Sequence, residues 1–205
     1  VALVDALNKQ YQNTQASELV TANIQSLVNN KTYTVTTAHQ PNIFTGPLYF
    51  IYKIAHTIAL SRSLEKQIPG SRFVPVYYMG SEDADIEELG FVTVGGQKLV
   101  WKTNQTGAVG RMLVDAELLT LIQLIEGQIG VSVHGTAWIS LLKQSFTIGK
   151  TIAQATFEIV NHLFGEYGLV VILPDSDNLK TLFTSVIEKE LTTGFSNKAV
   201  QQTIQ

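Results

Sequence analysis

Residues 16 to 29 set Leu19, Val20, Ile24, Leu27 and Val28 on one face of a 3.6-residue period, and Asn29-Asn30 then punctuates the end of a helix. Upstream, Val1-Ala2-Leu3-Val4 already lies inside an amphipathic pattern. Thr32 to Thr37 is β-branched throughout apart from Tyr33, which predicts a pleated, buried strand. It runs into His39-Gln40-Pro41-Asn42-Ile43-Phe44-Thr45-Gly46-Pro47, a loop by its two prolines and its glycine. Pro47 suits the first position of a helix, where its missing N–H would be unpaired anyway. That helix is expected to reach about Gln67, turning Leu48, Ile51, Ala55, Ile58 and Ala59 inward and Lys53, Thr57 and Ser61 outward, until Pro69-Gly70 stops it. Arg72 to Met79 is a second apolar strand, broken by Gly80 and followed by the acidic run from Ser81 to Glu88. The order is that of a βαβ unit.

Further along, Phe91 to Val94 and Lys98 to Lys102 flank Gly95-Gly96-Gln97 as in a hairpin. Helical periodicity follows at 115 to 128, 137 to 148 and 151 to 165, the last two separated at Gly149. Gly168 to Leu173 is a wholly apolar strand of the kind a parallel sheet buries. Pro174-Asp175-Ser176-Asp177 then reads as the cap of a helix carrying Leu179, Leu182, Phe183, Val186 and Ile187, with Asp175 and Asp177 as an N-cap pair. These elements predict an α/β chain, Rossmann-like, with a doubly wound and mostly parallel sheet that is incomplete at its C-terminal side. The expected division is an N-terminal helical segment over 1–30, a core over 31–190 with a small insertion around 91–150, and the start of a further helical region over 191–205. Both chain ends read as cuts within a longer protein.

Composition narrows the function. Hydrophobic residues make up 45% of the 205 and charged residues 15%, apolar but inside the range of globular domains. The net charge is −3 with scattered Lys and Arg, so the chain offers no footprint for a phosphate backbone, and nucleic acid is not an expected partner. There is no cysteine, which removes disulfides and thiolate metal sites from this chain and fits a cytoplasmic setting. No run approaches the roughly 20 apolar residues of a membrane span, so no membrane partner is expected.

Ligands of an open parallel sheet bind outside the carboxyl ends of the strands. Three loops qualify: 38–47, 80–88 and 174–178. The first joins His39, Gln40, Asn42, Thr45 and Gly46 to a helix N-terminus, whose free N–H groups and dipole favour a phosphate or carboxylate. The second packs Glu82, Asp83, Asp85, Glu87 and Glu88 within seven residues, a density that calls for a neutralising Mg²⁺ or substrate ammonium. Glu87 and Glu88 are better read as a solvated first helical turn. His39, Gln40, Thr45, Glu82, Asp83 and Asp85 are therefore the candidate catalytic residues, and Asn42, Gly46, Pro47 and Ser81 the candidate cofactor contacts. No residue is assigned as a metal ligand. Gly149-Lys150-Thr151 imitates the tail of a P-loop, but Gln144 stands where the first glycine belongs, so it reads as a helix break. Gly107 and Gly110, near Arg111, are too few for a dinucleotide fingerprint. His56, His134 and His162 have no metal-ligand spacing.

Taken in order, Thr37 to Tyr49, Tyr52-Lys53, Ser81-Glu82-Asp83-Ala84-Asp85, Leu163-Phe164-Gly165, Gly168-Leu169-Val170 and Pro174-Asp175 resemble the cysteine-adding family of bacillithiol biosynthesis over about 30 to 190. The family pattern usually has glycine at the place of Ala38 and often histidine at that of Ala84. The resemblance implies a Rossmann-like core related to nucleotidyltransferases, within a dimeric cytoplasmic enzyme that also has a long coiled coil and joins cysteine to glucosaminyl malate through an amide. On that footing ATP or ADP is the expected nucleotide, with the need for Mg²⁺ left open, and the present segment alone is expected to be inactive. His39 and Thr45 would stabilise a nucleotide phosphate or a carboxylate anion, and Asp83 and Asp85 would orient an amine or a metal. A non-catalytic nucleotide-binding module and a nucleotidyltransferase acting on a small acid remain the alternatives. The ligase reading requires Glu82 or Asp83 to face the same cleft as His39.

Overall fold

The computed structural model describes residues 1–204. Two helices, α1 (Ala2–Tyr11) and α2 (Glu18–Ser26), precede the unit β1 (Thr32–His39), α3 (Leu48–Gln67), β2 (Arg72–Met79). A single-turn helix, α4 (Ile86–Leu89), leads to the hairpin β3 (Phe91–Val94) and β4 (Gln97–Val100). Helices α5 (Ala116–Ile129), α6 (Gly135–Ser145) and α7 (Ile152–Phe164) come next, then β5 (Val170–Ile172) and α8 (Asp177–Thr181), α9 (Thr184–Thr193) and α10 (Phe195–Ile204). Strands β1, β2 and β5 form one parallel sheet in that order, with His39 opposite Met79 and Tyr77 opposite Val171. This is the α/β, Rossmann-like architecture expected from the element order. None of the described helices is long and apolar enough to cross a membrane.

The chain buries two apolar clusters. One gathers around the sheet and includes Val74, Val76, Tyr77, Met79, Val170 and Val171, with Phe50 and Ile54 from α3 and Leu7 and Tyr11 from α1. The other lies among the hairpin and α5 to α7, around Leu99, Trp101, Leu118, Ile122, Leu142 and Phe146. Ile43 and Phe44 belong to this second cluster, so the middle of the loop after β1 is anchored in the hairpin-and-helix region. The Phe44 ring meets Phe146 edge-on at 5.1 Å, and Ile43 N–H donates to the Leu89 carbonyl. Phe44 sits at φ 59°, a left-handed conformation that costs a non-glycine residue of order 1 kcal/mol and holds here because the ring is 3% exposed.

Several elements differ from expectation. Strand β1 is not buried: it pairs only with β2 among the described strands, and Tyr33 is 51% exposed. β-branched residues suit any pleated strand, so their presence does not separate an edge from a centre. The inward face of α3 is Phe50, Ile54, Thr57, Ile58 and Ser61, whereas Leu48, Ala55 and Ala59 are exposed. Thr57 and Ser61 tolerate burial because each hydroxyl donates to the carbonyl four residues earlier, at 2.9 Å. The expected single helix after β5 is two, α8 and α9. Leu182 and Phe183 N–H bond to carbonyls three residues back, which tightens the chain and ends α8. Its N-cap is Ser176, so the expected Asp175–Asp177 cap pair does not form.

The outer edge of β5 is closed by side chains. Val171 N–H donates to the Tyr11 hydroxyl and the Val171 carbonyl accepts from the Gln10 amide, while Leu173 N–H donates to the Gln10 oxygen. Helix α1 thereby satisfies the backbone groups that a further strand would otherwise pair.

Candidate functional site

The carboxyl ends of β1 and β2 lie side by side, and Gly80 N–H donates to the His39 carbonyl at 2.9 Å. His39 is 7% exposed, between the stacked ring of Tyr49 and the edge-on ring of Phe50. Its Nδ1 lies 3.2 Å from the Gln40 carbonyl and its Nε2 3.0 Å from the Tyr49 hydroxyl. Asn42 is buried and donates its amide to the same Gln40 carbonyl at 3.1 Å. From below, the Tyr77 hydroxyl donates to the His39 and Gln40 carbonyls, fixing the backbone at the turn. Burial of the imidazole, and secondarily the nearby Lys53 charge, hold the His39 pKa below its ordinary value. Lys53 donates to the Ala38 carbonyl at 2.5 Å.

Gln40 joins this loop to the acidic one. Its amide nitrogen donates to Asp83 Oδ2 at 2.9 Å, and that bond, followed by the Asp85 N–H on Oδ1, holds the Asp83 carboxyl below the usual carboxylate range. Asp85 accepts from Glu88 N–H and caps α4. Ser81 is buried, and its hydroxyl has no partner among the described residues.

Glu82 instead enters a four-charge cluster at the ends of β2 and β5. Arg111 grips Asp175 with two bonds of 2.5 and 2.7 Å. Lys180 bridges Asp175 at 2.5 Å and Glu82 at 2.6 Å. The Arg111 fork holds the Asp175 carboxyl far below the usual range. The segment bearing Arg111 reaches the acidic loop through Gly110, where a Cβ would stand 2.4 Å from the Ser81 carbonyl oxygen. A glycine is required for that approach.

A cavity of about 600 Å³ opens between the start of α3 and β3, lined by Asn42, Thr45, Gly46, Pro47, Tyr49 and Glu88 together with Leu48, Ile51 and residues 91–93. Gly46 has φ +58°, and a Cβ there would collide with the Asn42 side chain at 2.6 Å. Pro47 is the N-cap and supplies no side-chain acceptor to the first turn of α3.

Of the candidates from sequence, Asn42, Thr45, Gly46 and Pro47 thus share the cavity. His39 lies behind Tyr49, Gln40 ties to Asp83, and Glu82 belongs to the charged cluster. Neither Glu82 nor Asp83 lines this cavity, so the expected common cleft with His39 is not formed there, and Asp83 meets the loop of His39 through Gln40. Arg111, Lys180 and the Tyr49 hydroxyl were not picked out as site groups. Arg111 and Asp175 are 64 residues apart and Lys180 and Glu82 98, so no local spacing signals those pairs. Thr151, in the apparent P-loop remnant, caps α7 in a capping box with Gln154, and Lys150 pairs with Glu158.

The chain matches, over residues 1–205, the family described as bacillithiol biosynthesis BshC, N-terminal Rossmann-like domain. Among its relatives is a protein of Flavobacterium psychrophilum provisionally named cysteine ligase BshC, 43% identical over 202 residues, which cover 98% of this chain and 38% of that protein. A second, from Flavobacterium johnsoniae and under the same provisional name, is 40% identical over 207 residues, covering 100% of this chain and 39% of the relative. A third, from Cytophaga hutchinsonii, is 41% identical over 191 residues, covering 92% and 34%. The chain therefore spans less than two fifths of the length of these relatives. On the family match and these identities, the chain belongs to the bacillithiol-biosynthesis BshC family, as its N-terminal Rossmann-like domain.

Proposed function

We propose that this domain carries the amide-forming site of a cytoplasmic, homodimeric ligase that joins cysteine to glucosaminyl malate. The observation that supports this most is the Gln40–Asp83 hydrogen bond, which holds an acid at the end of β2 against the loop that begins with His39 at the end of β1. A carboxylate resists attack by an amine, so amide formation requires an activated acyl group, and ATP is the proposed activator. The groups of this chain that suit a phosphate are the Leu48 and Tyr49 N–H groups at the start of α3, to which Pro47 gives no side-chain cap, the Phe50 N–H being bonded to the Pro47 carbonyl. Gly46 and Thr45 bring the backbone up to the same opening. Asp83, kept ionised by Gln40, is an acceptor for a substrate ammonium or N–H. In this scheme the loop after β1 holds the anion and the loop after β2 holds the amine.

The test is to incubate the complete protein with cysteine, glucosaminyl malate and ATP, with each omitted in turn, and to follow amide product and nucleotide products together. The ligase reading expects amide and ATP cleavage only when all three are present. Nucleotide bound but never cleaved would favour a binding module. Pyrophosphate release without cysteine would favour a nucleotidyltransferase.

A further inference from the structure

Building on the ligase reading, in which Asp83 orients the amine, we infer that Tyr49 is the group that takes the proton of that amine, and that His39 acts through it as a buried proton acceptor. His39 is 7% exposed and both of its ring nitrogens are engaged, so it has no free nitrogen to offer a ligand. Tyr49 is 51% exposed and lines the cavity shared by Thr45 and Gly46.

The hydrogen-bond network assigns the protons. Two groups face Nδ1, the Gln40 carbonyl at 3.2 Å, which can only accept, and the Asn42 amide nitrogen at 3.4 Å, which can only donate. The carbonyl is nearer and the Asn42 amide already donates to it at 3.1 Å, so we place hydrogen on Nδ1. A bare Nδ1 would set two lone pairs against each other at that distance. The neutral ring then has an acceptor at Nε2, and the Tyr49 hydroxyl, 3.0 Å away, donates to it. With its proton committed to His39, Tyr49 Oη turns lone pairs toward the cavity, where they suit an N–H donor. The position is rigid: the two rings stack at 5.2 Å, Phe50 closes the edge, and Tyr77 holds the His39 carbonyl.

When the substrate amine attacks the activated acyl carbon, the C–N bond forms and the bond from carbon to the phosphate-type leaving group breaks, its electron pair departing with that group. The amine N–H proton passes to Tyr49 Oη as the hydroxyl proton passes to His39 Nε2. The imidazolium that results later returns its proton to solvent through the same hydroxyl.

Two measurements on the complete protein test the relay. In steady-state assays with the three substrates, Tyr49→Phe should lower kcat by about 10²-fold or more while KM stays roughly unchanged. Combining it with His39→Gln should slow the enzyme no further than the slower single variant, because one relay is already broken. A Tyr49→Phe enzyme at wild-type kcat, or two effects that multiply, overturns the proposal while leaving the ligase reading intact. An inactive wild type counts against the ligase reading itself. Independently of turnover, ¹⁵N NMR of the imidazole should report Nδ1–H in the wild type and a shifted Nε2 resonance in Tyr49→Phe, where ring stacking is kept. An unmoved Nε2 resonance refutes the dyad whatever the activity.

Discussion

His39 shows what one residue's surroundings can do. Its pKa lies below the ordinary 6.5 in the folded chain, first because the ring is buried and then because Lys53 stands near, with Glu88 opposing and the Gln40 carbonyl favouring the charged form. The unfolded chain therefore binds more protons than the native one between the depressed value and 6.5, and the stability this residue contributes is complete above that window and lost as pH falls through it. Urea midpoints compared at pH 8 and pH 5.5 should drop on acidification, and His39→Gln should drop by less; equal drops in the two proteins would contradict the assignment. Asp83 is separated from this window, since its lowered pKa makes its contribution fade only below the normal carboxylate range. At this scale the sequence was partly informative. The loop from His39 to Pro47 was visible from its prolines, its glycine and its place between strand and helix. The bond of Gln40 to Asp83 spans 43 residues, and only the pairing of β1 with β2 brings those two together.

Elements whose apolar pattern is continuous were the legible ones. β2 occupies the 72–79 anticipated from its run of Phe, Val and Tyr, and α3, α5 and α7 lie within one or two residues of their periodic stretches. The buried face of α3 is hidden from its periodicity because Thr57 and Ser61 count as polar there, while their hydroxyls are satisfied inside the helix itself. The role of α1 was invisible for another reason: Gln10 and Tyr11 act on β5, 160 residues away, through side chain to backbone bonds that leave no periodic trace. Tyr11→Phe removes the acceptor for the buried Val171 N–H and should cost about 1–3 kcal/mol, read as a lower denaturant midpoint with an unchanged slope. A variant as stable as the wild type would mean that α1 does not seal this edge.

Across the molecule, the two apolar clusters meet at the place where the chemistry is proposed. The loop after β1 sends Ile43 and Phe44 into the cluster of the hairpin and α5 to α7, while His39 rests on the sheet cluster through Phe50 and Tyr77. Val109, Gly110 and Arg111 then tie that same region to Asp83, Ser81 and Asp175 respectively. The strand ends are thus braced from both sides, as a site built on rigid elements requires. Helices α9 and α10 have no buried residue, and Leu182, Phe183, Ile187 and Leu191 are exposed. The proposed amide-forming site is tested by mass spectrometry of the complete protein with cysteine, glucosaminyl malate and ATP, alongside Asp83→Asn and His39→Ala. A bacillithiol mass should form with the wild type and fall by at least about 10²-fold in both variants. Undiminished product from either variant, or none from the wild type, would contradict that assignment.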